Sequence, residues 1–148
     1  RQIIGVYENS LLSTFSRVAK NLDMEHVMVV HGEDGLDEIS ITGPTNISEY
    51  KDFKINEYAI CPEDFGIASA PFEDIAAQSS EESLRMVQEA FAGEKSAVQD
   101  MIALNSGAAL YIARKVDSIS EGVELSFDLM NNGKAADKLA AYVRVSNI

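Results

Sequence analysis

Apolar and polar residues change their rhythm along this chain, and the changes divide it into elements. Ile3 to Tyr7 is a short β-rich run, and Asn9-Ser10 then offers a helix start. Leu11, Leu12, Phe15, Val18, Ala19 and Leu22 recur at three- and four-residue spacing, which predicts an amphipathic helix over 10–22. Val27-Met28-Val29-Val30 is unbroken apolar sequence between polar neighbours, as in a strand covered on both faces. Strand, helix and strand within about 30 residues make a βαβ unit, with parallel strands and a right-handed crossover.

The rhythm then breaks. Gly32 to Gly35 reads as a loop, Asp37 to Ile41 as a short return to extended structure, and Gly43-Pro44 as a turn. Residues 45–50 and 54–60 alternate and predict two antiparallel strands joined near Lys51-Asp52. Cys61-Pro62-Glu63-Asp64-Phe65-Gly66 ends the second strand, and 66–78 are irregular with at most one helical turn. Beyond that the pattern is helical. Ser79-x-x-Glu82 is a capping box, followed by Leu84, Val87, Ala90 and Phe91 on one face, and Gly93 closes the helix. A longer helix over 95–114 turns Val98, Met101, Ile102, Ala108, Ala109 and Ile112 inward. A second capping box, Ser118-x-x-Glu121, opens a helix that Asn131-Asn132-Gly133 ends. A last helix, about 134–145, places Leu139, Tyr142 and Val143 inward. The expected fold is α/β: a βαβ unit in a partly parallel, mixed sheet, with a helical C-terminal half packed on it around one core.

Length and charge narrow the picture. The 148 residues suit one domain without linker or internal repeat, able to bury roughly 70% of its unfolded surface. The net charge of −12 argues against nucleic-acid backbones and anionic membranes as partners. It leaves room for a phosphorylated ligand, because a bound divalent cation reverses the local field. The one cysteine, Cys61, cannot form an internal disulfide, and a reducing cytoplasm is its natural setting. No apolar run approaches the ~20 residues of a membrane span, and no signal-peptide pattern opens the chain. Arg1 is followed at once by a core-type strand, so the chain is expected to be part of a longer one.

The chemistry concentrates after the second strand. Glu33, Asp34, Asp37 and Glu38 stand among Gly32 and Gly35. Four carboxylates in six positions repel one another unless water or a cation screens them. The segment also lies beyond the carboxyl end of a parallel strand, where open α/β sheets place ligands. Magnesium is held by one or two carboxylates, with water and substrate phosphates completing its octahedron. The residues alone leave two readings open: a magnesium loop, or a solvated acidic loop whose glycines serve its turns. An EF-hand is excluded. With Gly35 at its sixth position, the first would be Val30 and the twelfth Ile41. No Cys or His cluster suits zinc, and no P-loop or Rossmann fingerprint is present. His31, just before the loop, either caps the strand end or meets a phosphate. His26 is expected at the surface or a strand edge. Asn105 either satisfies buried backbone or touches a ligand, and Gly107 permits close helix packing.

Val29-Val30-His31-Gly32-Glu33-Asp34-Gly35-Leu36-Asp37-Glu38-Ile39-Ser40 resembles the magnesium-binding segment of the anthranilate phosphoribosyltransferase family. Arg1 to Tyr7, Pro62 to Gly66, Ala92 to Lys95 and Leu104 to Tyr111 resemble further segments of that family, in order, so the likeness covers essentially the whole chain. The resemblance implies transfer of phosphoribosyl from phosphoribosyl pyrophosphate to anthranilate in tryptophan biosynthesis. It implies magnesium (Mg2+) as cofactor and Asp37 and Glu38 as its ligands. It also implies that 1–148 is the C-terminal part of the large α/β domain, one fragment of a single domain. The family's helical N-terminal domain, its Gly-Thr-Gly-Gly-Asp and Lys-His-Gly-Asn segments and a substrate arginine have no counterpart here. Members of the family are homodimers, formed largely through that helical domain, so dimerisation does not carry over. The chain alone is therefore expected to be inactive. Two other readings are a nucleoside phosphorylase-like transferase with another substrate, and a non-catalytic acidic α/β binding module.

Overall fold

The computed structural model describes residues 1–147. The βαβ unit forms as expected. Strand β1 (Gln2–Gly5) leads through a 3-10 turn into helix α1 (Leu12–Asn21), and β2 (His26–Gly32) returns parallel to β1. Strands β3 (Thr45–Lys51) and β4 (Lys54–Ile60) then add by antiparallel pairing, giving the order β1-β2-β3-β4. Only Asp52 and Phe53 separate β3 from β4, with φ of 49° and 65°. Two successive left-handed residues are the signature of the I′ hairpin, whose twist matches that of its strands.

Val27, Met28, Val29 and Val30 of β2 are wholly buried, which explains their unbroken apolar run. On one face Leu12 and Ala19 of α1 pack over Val27, Val29 and Tyr50, and Ser16 Oγ and Ser48 Oγ share a buried hydrogen bond of 2.8 Å. On the other, Met28, Val30 and Ile47 lie under α3 (Ala97–Ile112) and its partner α4 (Ile119–Asn131). Helices α2 (Ser80–Phe91) and α5 (Lys134–Ser146) flank that pair. Ser79, Ser96 and Ser118 each cap a helix by accepting from the backbone N–H three residues on. Glu82 and Glu121 complete the motif one residue early, accepting from Gln78 and Asp117 rather than from the cap residue.

Several expectations are corrected. Asp37 to Ile41 forms no strand. Both edges of β2 are already taken, by β1 and β3, and Ile39 and Ser40 bond to the side chains of Asn105 and Thr45 instead. Helix α1 has two apolar stripes, and Phe15, Val18 and Leu22 lie on the exposed one. Ala109 of α3 faces outward. No residue of α5 is buried, and Tyr142 and Val143 are exposed on a helix that packs on α2 and α4. His26 is wholly buried, not at the surface. Its ring lies under α3, where Nε2 donates to Glu49 at 2.6 Å and meets Tyr111 edge-on at 5.1 Å. Tyr58 donates to the other Glu49 oxygen at 2.9 Å, and burial with the Glu49 charge drives its hydroxyl pKa far upward. This buried polar network ties β2, β3 and β4 at the end of the sheet opposite the acidic loop.

Candidate functional site

The parallel strands β1 and β2 end side by side, and the acidic segment lies over their carboxyl ends. Its course is set by local hydrogen bonds. Gly32 N–H donates to Leu36 O and Gly35 N–H to Gly32 O, both at 2.9 Å, and Gly35 takes φ 94°, which suits glycine. Asp34 folds back into this turn. Its Oδ2 accepts from Ser40 Oγ and from Thr42 Oγ1 (2.6 Å), and its Oδ1 accepts from Leu36 N–H at 3.1 Å. Burial alone would raise the Asp34 pKa, but these hydrogen bonds outweigh it and hold the carboxyl below its ordinary value. With three donors on two oxygens, Asp34 is committed to the loop.

Asp37 and Glu38 are both exposed at the crest. The Glu38 pKa is raised, first by partial burial, then by the neighbouring Asp37 carboxylate and the more distant Asp34 charge. That repulsion is what a cation would relieve. Just beyond the pair, Ile39 and Ile41 drop into the core, 2% and 0% exposed. Glu33 is exposed, with its N–H held by Pro44 O at 3.0 Å.

The remaining sequence candidates, His31 and Asn105, both hydrogen-bond to backbone. His31 Nδ1 donates to Val6 O at 2.8 Å, tying the end of β2 to the residue after β1. Asn105 meets the backbone of Ile39. Asn105 thus satisfies buried backbone, one of the two roles its sequence context offered, although its partner lies 66 residues away and could not be read from it. A neighbour of the site that sequence reasoning missed is Gly5. A Cβ built on it would stand 1.7 Å from the Asp37 carbonyl oxygen. A glycine between Ile4 and Val6 in a β-rich run is the signal that marks such close backbone approach.

Asp37 and Glu38 fit magnesium by donor chemistry. Both offer hard oxygens, adjacent, exposed and mutually repulsive. Among the described residues no three His, Cys, Asp or Glu side chains gather to hold a metal. A two-carboxylate site is one that phosphates and water must complete. An apolar groove of about 500 Å³ along α3 and α4, lined by Phe91, Ile102, Leu110 and Met130 among others, includes none of the acidic residues.

Residues 1–136 match the family described as "Glycosyl transferase family, a/b domain". The chain is 42% identical over 143 residues to the anthranilate phosphoribosyltransferase of Halorhodospira halophila, covering 97% of this chain and 42% of that protein. Its namesake from Vesicomyosocius okutanii is 41% identical over 145 residues, covering 98% and 43%. The structure of anthranilate phosphoribosyltransferase from Thermus thermophilus superposes with a TM-score of 0.84 at 32% identity, over 95% of this chain and 41% of its own. The Saccharomyces cerevisiae enzyme in complex with phosphoribosyl pyrophosphate (PRPP) and Mg superposes at 0.87 over 99% and 43%; at 21% identity that likeness is one of fold. The chain thus spans about two fifths of the length of the curated relatives it matches.

Proposed function

The chain belongs to the glycosyl transferase family, whose α/β domain it matches over residues 1–136, and on that premise we propose that it is part of an anthranilate phosphoribosyltransferase and supplies the ligands for magnesium–pyrophosphate. The whole protein would join the ribose of phosphoribosyl pyrophosphate to anthranilate and release pyrophosphate. Residues 1–148 would be the C-terminal part of its large α/β domain, in a cytoplasmic protein of the tryptophan pathway. No helix among the described residues is long and apolar enough to cross a membrane.

One observation carries the reading. Asp37 and Glu38 are presented together, exposed, beyond the ends of two parallel strands, while the Asp34 carboxylate is taken up by hydrogen bonds within the loop. Two carboxylates cannot attract a pyrophosphate by themselves, since like charges repel. Magnesium, when bound, stabilises the negative charge that builds on the departing pyrophosphate. The chain's own part is to hold that ion with Asp37 and Glu38 and to keep their loop from yielding. Asp34 does the second job through Ser40, Thr42 and Leu36 N–H.

The test is a titration of the purified chain with magnesium and phosphoribosyl pyrophosphate, followed by backbone amide exchange. Residues 33–40 should become protected in the wild type and stay unprotected in Asp37→Asn with Glu38→Gln. Equal protection in both proteins would remove the metal role. Turnover needs both substrates positioned at once, and the chain spans two fifths of its relatives. The purified chain alone should therefore form no phosphoribosyl anthranilate above background in a fluorescence assay.

A further inference from the structure

The acidic segment is backed by a helix that lends it no carboxylate. Asn105 sits in the middle of α3, half-buried. Its Oδ1 accepts from Ile39 N–H at 2.9 Å, and its Nδ2 donates to Ile39 O at 2.8 Å. The same Nδ2 donates to Met101 O, one turn back, at 3.0 Å. One carboxamide therefore meets both polar backbone groups of one residue, as a neighbouring strand would. That residue directly follows Glu38. Its side chain is 2% exposed, anchored in the core beneath α3. On the other flank the Asp37 carbonyl lies so close to Gly5 that no side chain fits between them. The backbone of 37–39 is held from both sides, and with it the points from which the two exposed side chains extend.

We propose that Asn105 is a positioning residue for the magnesium–pyrophosphate site: through the backbone of Ile39 it sets where Asp37 and Glu38 point, without touching ion or substrate. The proposal rests on the assignment of Asp37 and Glu38 as magnesium ligands. Magnesium tolerates little departure from octahedral geometry at about 2.0–2.1 Å, so a loop free to shift loses affinity even with its ligands intact. Groups that orient metal ligands without binding the metal change affinity by about 10–100-fold when removed. A purely structural asparagine would lower stability and leave magnesium affinity alone.

The discriminating variant is Asn105→Ser. Its hydroxyl can still bond the carbonyl four residues back, as serine does in helices, but it is too short to reach Ile39. Ile112→Val and Ile112→Ala, at the far end of the same helix, serve as controls that bracket its thermal stability. Amide exchange is mapped first without metal, then during magnesium titration at fixed phosphoribosyl pyrophosphate. Asn105→Ser should exchange faster at 37–40 than either control, and its half-saturating magnesium concentration should rise by about 10–100-fold, with the controls within about twofold of wild type. A magnesium midpoint equal to that of the controls would overturn the proposal. If wild type itself ignores magnesium and phosphoribosyl pyrophosphate, the ligand assignment has failed, and the metal-free exchange decides the clamp. Faster exchange confined to 37–40 keeps it; unchanged exchange overturns it.

Discussion

Gly122→Ala should destabilise the chain by about 2 kcal/mol or more, although alanine is the better helix former. The reason is where α3 and α4 cross. A Cβ on Gly122 would lie 2.3 Å from Gly107 O and 2.8 Å from the Gly107 C and Cα. The reverse also holds: a Cβ on Gly107 would meet Val123 N at 2.6 Å and Gly122 C at 2.9 Å. These are backbone atoms, within α3 on one side and near the start of α4 on the other, so no rotamer change relieves the contact. The helices must separate, loosening Leu104, Ala108 and Val123, which are 1%, 0% and 2% exposed. Intrinsic propensity pulls the other way by about 1 kcal/mol. The sign of the result therefore decides between helix propensity and close packing. For a chain of this size a loss of 2 kcal/mol lowers the melting midpoint by roughly 6 °C. Ser120→Ala, exposed on the same helix, should change stability by less than about 0.5 kcal/mol. An unchanged or higher midpoint for Gly122→Ala in thermal or urea unfolding would show that the crossing is not tight.

The contrast between Gly107 and His26 shows what a sequence of this kind discloses. A glycine between Ser106 and Ala108 in a helical pattern announces close packing, since small size is its main use there. Its partner Gly122 did not announce itself. A histidine announces nothing without its partner, and Glu49 is 23 residues away on another strand. Periodicity likewise located α1 but found both apolar stripes. The structure puts Leu12, Ser16 and Ala19 against the sheet, because Ser16 answers Ser48 there. The acidic loop was legible by composition, and its glycines by turn chemistry. The separation of Asp34 from Asp37 and Glu38 by their surroundings needed coordinates, because it depends on which side of the turn Ser40 and Thr42 face. The expected strand over 37–41 failed for a related reason. Ile39 and Ser40 bond to the side chains of Asn105 and Thr45 and Ile41 O accepts from Ala70 N–H, and such scattered pairing leaves no alternation to read.

Gly5→Ala should disable the acidic pair while leaving the sheet folded. The added methyl would lie 1.7 Å from the Asp37 carbonyl oxygen, 2.7 Å from its carbon and 2.9 Å from Asp37 Cβ. An ordinary carbon–oxygen contact is about 3.3 Å or more, so something must move by about 1.5 Å. Strand β1 is held by its parallel register, with Gly5 opposite Val30, and by the bond from Val6 N–H to Val30 O at 3.0 Å. Position 5 has no positive φ, so alanine causes no backbone strain there. The loop is what yields, and it yields against Asn105 and the buried Ile39. The Asp37 peptide should therefore rotate, and the two carboxylates should separate. Protection of 33–40 by magnesium and phosphoribosyl pyrophosphate should require about 100-fold more magnesium or vanish, with a loss of about 1–3 kcal/mol of stability and an unchanged far-UV circular dichroism spectrum. Gly43→Ala is the matched control, since a Cβ there meets nothing within 4 Å and its φ is not positive. Wild-type magnesium response in Gly5→Ala would mean that β1 does not place the acidic pair. Because Gly5 and Asn105 act on the same short backbone from opposite flanks, the double variant should fall short of the sum of the single effects: once one support is gone, the other has less left to hold.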